Sequence, residues 1–136
     1  MGLTKEERDS IVKVRLEQAN ETYNEVNTLI ENKFWRTAAN RLYYSCYYAT
    51  SALMVKYGFQ AQTHTGIITM FGLNFVKTGK VSNDIGFVLR TLFELRQKGD
   101  YSVLAEITPE IIQPLILPAK QFIETIENLI RDNENN

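Results

Sequence analysis

Asn40-Arg41-Leu42-Tyr43-Tyr44-Ser45-Cys46-Tyr47-Tyr48-Ala49 is the stretch on which the fold turns. It lies in an uncharged run from Leu42 to Val55 that reads as one very apolar helix. At about 100° per residue, Trp35, Ala38, Leu42, Cys46, Ala49 and Leu53 fall on one face. The small residues on that face let another helix come close. Tyr43, Tyr47 and Met54 lie on the opposite side, and Tyr44, Tyr48 and Val55 on a flank. A helix apolar on nearly every side is either central to a bundle or half covered by a second subunit. Arg41 stands apart, on the flank of Tyr44, Ser45 and Tyr48.

Working outward, this spine helix is expected to start near Phe34 and stop at Gly58. Before it, Thr4 and Glu7 make a capping box. Ile11, Val14, Leu16, Ala19, Tyr23, Val26 and Ile30 recur at roughly helical spacing, so an amphipathic first helix should reach about Glu31. Asn32-Lys33 makes the join. After the spine, Thr63 or Thr65 can cap a third helix carrying Ile67, Ile68, Phe71, Phe75 and Val76, with Gly79 closing it. Ser82-Asn83-Asp84 offers caps for a fourth, whose stripe is Ile85, Val88, Leu89, Leu92 and then Arg96, with Gly99 as its stop. Asp100 to Ile107 reads as irregular. Thr108-Pro109-Glu110 opens the last helix, with proline at the first helical position. Pro114 and Pro118 each remove a backbone donor, so a kink or interruption is expected there. A regular helix then runs from about Pro118 to Arg131, and Asp132 to Asn136 fray. No strand-like alternation, repeat or low-complexity segment intervenes. The expectation is all-α: a five-helix up-and-down bundle forming one domain over residues 1–136.

The bulk numbers agree. A chain of 136 residues, 44% hydrophobic and 23% charged, can bury a core without staples. The net charge of −1 leaves no electrostatic footprint for non-specific duplex binding, though it allows a local basic pocket. Lys77, Lys80, Arg96 and Lys98 are scattered and form no stripe. One cysteine, Cys46, excludes an intrachain disulfide and fits a reducing, cytoplasmic setting. A buried structural thiol is the plain reading of it. One Cys and one His supply no metal-ligand spacing, and nothing calls for a cofactor. The N-terminus lacks the apolar core of a signal peptide, and no stretch is long enough to span a bilayer, so no membrane role is expected.

Arg96 carries the strongest chemical signal. A guanidinium on an apolar stripe demands a paired anion or an open cleft. Asp84, Glu94 or Asp100 could pair with it, with Asp100, one turn on, the obvious partner; otherwise its head snorkels at the helix end. In an up-and-down bundle His64, Arg96, Asp100 and Tyr101 lie near one end. At about 1.5 Å per residue, Arg96 is roughly level with Tyr44 and Ser45, and Arg41 about a turn lower. A shared polar site between the second and fourth helices is therefore geometrically allowed. Arg41 can equally make a structural hydrogen bond to a carbonyl, His64 can serve as a cap or loop anchor, and the tyrosines can be core or dimer interface rather than a base-stacking platform.

Taken together, these stretches resemble a known family. Ala38 to Ala49 (A-A-N-R-L-Y-Y-S-C-Y-Y-A) is similar to the second helix of HEPN domains, and Thr63 to Gly66 (T-H-T-G) to the opening of their third. Phe75 to Gly79 (F-V-K-T-G) and Arg96 to Tyr101 (R-Q-K-G-D-Y) fit the same branch. The resemblance runs from about Phe34 to Leu129, with the four segments in register. It implies a five-helix bundle that usually forms homodimers, found in prokaryotic toxin–antitoxin and defence systems, often beside a minimal nucleotidyltransferase partner. Many members are metal-independent RNases whose motif is an Arg followed a few residues on by a His, placed at the dimer cleft. Here Arg96 matches the Arg, while Asp100 and Tyr101 stand where the His would be, an R-x-x-x-D-Y form. The resemblance thus implies a nucleotide-, RNA- or partner-binding module, with Arg41, Tyr44, Arg96 and Tyr101 as binding candidates. The alternatives are an RNase toxin, in which Arg96 stabilises phosphorane charge and His64 or Asp100 moves protons, and a purely structural dimer.

Overall fold

A computed structural model describes residues 2–102 and 106–134. Five helices follow one another: α1 (Lys5–Glu31), α2 (Trp35–Tyr57), α3 (His64–Phe71), α4 (Asn83–Tyr101) and α5 (Pro109–Glu134). No strand occurs among the described residues. Of the irregular stretch expected from Asp100 to Ile107, residues 103–105 lie outside the described residues, as do residues 135–136 of the C-terminal segment.

The helix ends follow local chemistry. The Thr4 hydroxyl accepts from the Glu7 amide at 3.1 Å and the Glu7 carboxylate accepts from the Thr4 amide at 3.0 Å, completing the capping box of α1. Gly58, at φ +78°, ends α2. There the Phe59 amide donates back to the Met54 carbonyl at 2.9 Å, a Schellman closure that needs the left-handed glycine. Thr63, not Thr65, caps α3 through the Gly66 amide at 2.9 Å. The Ser82 hydroxyl accepts from the Ile85 amide at the start of α4.

Helix α2 is the spine, packed against α1, α3, α4 and α5. Ala38, Leu42, Cys46, Ala49 and Leu53 are fully buried on its small-residue face, while Trp35, at its first turn, is only partly covered. Tyr43, on the opposite side, is also fully buried, with His64 of α3 and Phe93 of α4 against its ring. The buried residues of all five helices form one cluster, with Tyr43, Phe71, Phe75, Leu89, Leu92, Phe122 and Ile126 among its largest side chains.

Four details depart from the sequence expectation. Val14 is 51% exposed, and the seam of α1 is Val12, Ala19 and Val26, spaced by seven residues. A seven-residue repeat keeps one line of contact against a long partner helix, whereas Val14 sits off that line. The third helix does not run uniformly to Gly79: after Phe71 it widens into a π-helical segment, Gly72–Val76, in which the Lys77 amide reaches the Gly72 carbonyl at 2.8 Å. Gly99 does not stop α4. It is buried, Arg36 donates to its carbonyl, and the helix continues through Tyr101, so Asp100 and Tyr101 are helical residues rather than loop residues. Lastly, of the kink or interruption expected in α5, the interruption does not occur: Pro114 and Pro118 both lie inside one helix from Pro109 to Glu134. The carbonyls those rings deprive of a donor belong to Glu110 and Pro114, both exposed residues within reach of water. On the inward side the Tyr23 hydroxyl donates to the Ile116 carbonyl at 2.9 Å.

Candidate functional site

Arg96 follows Leu92 by one turn of α4, so its stem lies along the core and its side chain is only 14% exposed. Its guanidinium is held on several sides. Nε donates to Asp100 Oδ2 at 2.9 Å, and one Nη donates to the hydroxyls of Tyr44 at 3.1 Å and Tyr101 at 3.3 Å. The cation also sits 5.4 Å from the ring centres of both Tyr44 and Tyr101. Of the partners considered from sequence, Asp100 is the one that pairs, which the continuation of α4 past Gly99 makes possible. Tyr101 is 72% exposed and covers the guanidinium from the solvent side.

Asn40 links this pair to Arg41. Its amide nitrogen donates to Asp100 Oδ2 at 3.1 Å, and its amide oxygen accepts from Nε and Nη of Arg41 at 3.1 and 2.7 Å. Turning the amide over would set N–H against guanidinium and oxygen against carboxylate, so the network fixes its orientation. Arg41 additionally lies 5.2 Å above the Tyr44 ring, and among the described residues it makes no carboxylate contact. With two guanidiniums and a single carboxylate, the network carries one positive charge in excess.

His64, the first residue of α3, belongs to a second, adjoining layer. Its Nδ1 lies 2.6 Å from the Tyr43 hydroxyl, its ring stacks on Tyr47 at 4.2 Å and 7°, and it meets the Tyr44 ring edge-on at 5.8 Å. Burial raises the Tyr43 pKa well above the ordinary phenol value, so the hydroxyl keeps its proton. The hydroxyl and Nδ1 share one hydrogen bond, which engages that ring nitrogen in either tautomer. Burial first, and the Arg96 charge second, lower the His64 pKa, so the ring is neutral at pH 7. The expected common end of His64, Arg96, Asp100 and Tyr101 is therefore real, and the Tyr44 ring is the surface that His64 and Arg96 share.

Three participants carried no assigned role from sequence. Asn40 bridges two charged residues from different helices, and Tyr43 and Tyr47 fix His64. Nothing in the spacing marks them, because each acts across helices. Cys46 is fully buried with its thiol pushed up to about 12, and its sulfur lies 3.8 Å from the Ala119 carbonyl, a structural position. No cluster of three or more His, Cys, Asp or Glu able to hold a metal occurs among the described residues, nor is any helix there long and apolar enough to cross a membrane.

Residues 12–129 match the family profile described as the HEPN domain. A Thermotoga maritima protein named UPF0332 protein is 35% identical over 126 residues, covering 93% of this chain and 96% of the relative. A Methanocaldococcus jannaschii protein bearing the name putative toxin is 31% identical over 130 residues, covering 96% of each chain. A second protein so named from the same organism is 27% identical over 119 residues, covering 87% of this chain and 81% of the relative.

Proposed function

The chain belongs to the HEPN family, and from that premise we propose that it is a phosphate-binding module, engaging a nucleotide or RNA through Arg41 and Arg96 as part of a toxin–antitoxin or nucleotidyltransferase-associated system. The observation that carries this reading is the excess positive charge of the Arg41–Asn40–Asp100–Arg96 network beneath an exposed aromatic ring. Asp100 orients Arg96 without cancelling both guanidiniums, and Arg41 keeps donors uncommitted to any carboxylate among the described residues. A phosphate is the ligand such donors suit, and Tyr101 offers a face for a base. The relatives whose names read putative toxin support such a system, and the homodimer rests on the resemblance to a family whose members usually dimerise.

The test is fluorescence anisotropy with a labelled single-stranded RNA and with labelled ATP, comparing wild type with Arg41→Ala and Arg96→Ala. Loss of about 1–3 kcal/mol of binding in either variant is the expected result, the usual size of one charge-assisted contact. Unchanged binding and unchanged thermal stability in Arg96→Ala would remove the proposal. Sedimentation of the wild type at micromolar concentration tests the dimer.

RNA cleavage is the second reading, favoured by one observation: Arg96 and His64 meet on the Tyr44 ring. The same geometry weakens it. Nδ1 is engaged by Tyr43, and a ring whose pKa is lowered is a poor acid at neutral pH. Incubation with total RNA in the presence of EDTA decides the matter. Cleavage that is lost in both His64→Ala and Arg96→Ala would establish the enzyme; cleavage surviving in both would reject these residues.

A further inference from the structure

Along the first half of α4, away from the Arg96 end, lies an open groove of about 500 Å³, walled also by α3 and its π-helical continuation. Its apolar lining includes Ile68, Phe71, Val76, Phe87 and Leu89, and the exposed Lys77 and Arg90 stand at its rim. Three features set it apart from ordinary surface. Phe87, which lines it, is 65% exposed. The segment that forms one wall is π-helical, a rare geometry that recurs at functional places. Gly86 brings that wall close, because a Cβ there would lie 2.5 Å from Val76 Cγ2.

The charges are one-sided. The lining contains two cations and no carboxylate, and among the described residues neither the Lys77 ammonium nor the Arg90 guanidinium makes a side-chain hydrogen bond or ion pair. In a chain whose net charge is −1, this is a local basic rim around an apolar channel. We propose that the groove docks an acidic amphipathic helix of a partner protein, with apolar anchors in the channel and Asp or Glu side chains on Lys77 and Arg90. The pattern is that of a helix seated in a groove, where buried anchors supply affinity and rim charges select the partner. A nucleic acid fits less well, since the lining is mostly aliphatic and aromatic wall with only two cations.

The probe is a labelled helical peptide of about 14 residues, roughly 21 Å long, with Leu and Phe along one face and Glu flanking them. A control carries Lys in place of Glu. Isotope-labelled full chain is titrated with each, and with single-stranded RNA. The expected result is saturable binding of the acidic probe alone, with amide shifts confined to residues 68–90. Phe87→Ala, at an exposed position that folding does not need, should weaken binding about tenfold. The double variant Lys77→Glu with Arg90→Glu should reverse the preference to the Lys peptide, while Arg96→Ala should leave it intact and so keep this test separate from phosphate binding. No binding of the acidic probe, equal binding of both peptides, or RNA shifting these amides instead would overturn the proposal. Conversion of a wild-type dimer to monomer by Phe87→Ala would also overturn it, assigning the groove to a second copy of the chain.

Discussion

Asp100 accepts from both Arg96 and Asn40, so its charge orders two helices at once. Asp100→Asn should lower stability by about 1 kcal/mol, the scale of a partly exposed charge-assisted bond, yet tighten phosphate binding because the network gains positive charge. Thermal melts and anisotropy on the same protein would show the two effects with opposite signs. His64 gives a pH signature. Its folded pKa lies below the ordinary 6.5, so the unfolded chain takes up the proton more readily. The associated stability is therefore present above pH about 6.5 and is lost as pH falls below it. Melting temperature should drop with pH in that window, less so in His64→Gln, and Arg96→Ala should raise the His64 pKa measured by NMR. The Arg96–Asp100 pair was legible in sequence because both residues ride one helix at i and i+4. The Asn40 bridge and the Tyr43–His64 bond were not, since they depend on the register of separate helices.

At the scale of elements, the wall between the π-helical segment and α4 rests on a missing Cβ. Gly86→Ala would press on Val76, a β-branched side chain with little rotamer freedom, and should cost about 1–3 kcal/mol in chemical denaturation. Tyr23→Phe should cost about 1 kcal/mol, because it removes the hydroxyl's bond to the Ile116 carbonyl between α1 and α5. Helix starts were readable from Thr4, Thr63 and Ser82, whose side chains act on their own next turn. Stops were less so. Gly58 and Gly79 do turn left-handed, but Gly99 is a packing residue, and the approach of Arg36 from α2 and of Ile107 shows it. The π-helical widening leaves the apolar spacing of Ile68, Phe71 and Phe75 nearly unchanged, so no pattern announces it.

For the whole molecule, the all-α bundle was legible because the uncharged run of α2 has to be enclosed by other helices, and the enclosing faces recur on the chain with caps between them. Lys56 ties the ends of that enclosure, lying 3.6 Å from Asp9 of α1 and 3.4 Å from Glu134 of α5. At the centre is Cys46, fully enclosed, with a thiol pKa pushed up to about 12. The native protein should therefore resist a thiol reagent at pH 8, and labelling should proceed at the rate and denaturant dependence of global opening. Rapid modification in native buffer would contradict the packing of α2. The chain has no other cysteine, so its native surface is chemically blank to maleimides. A cysteine introduced on any exposed turn could carry a dye or spin label without first mutating the interior, and each molecule would report from one known address.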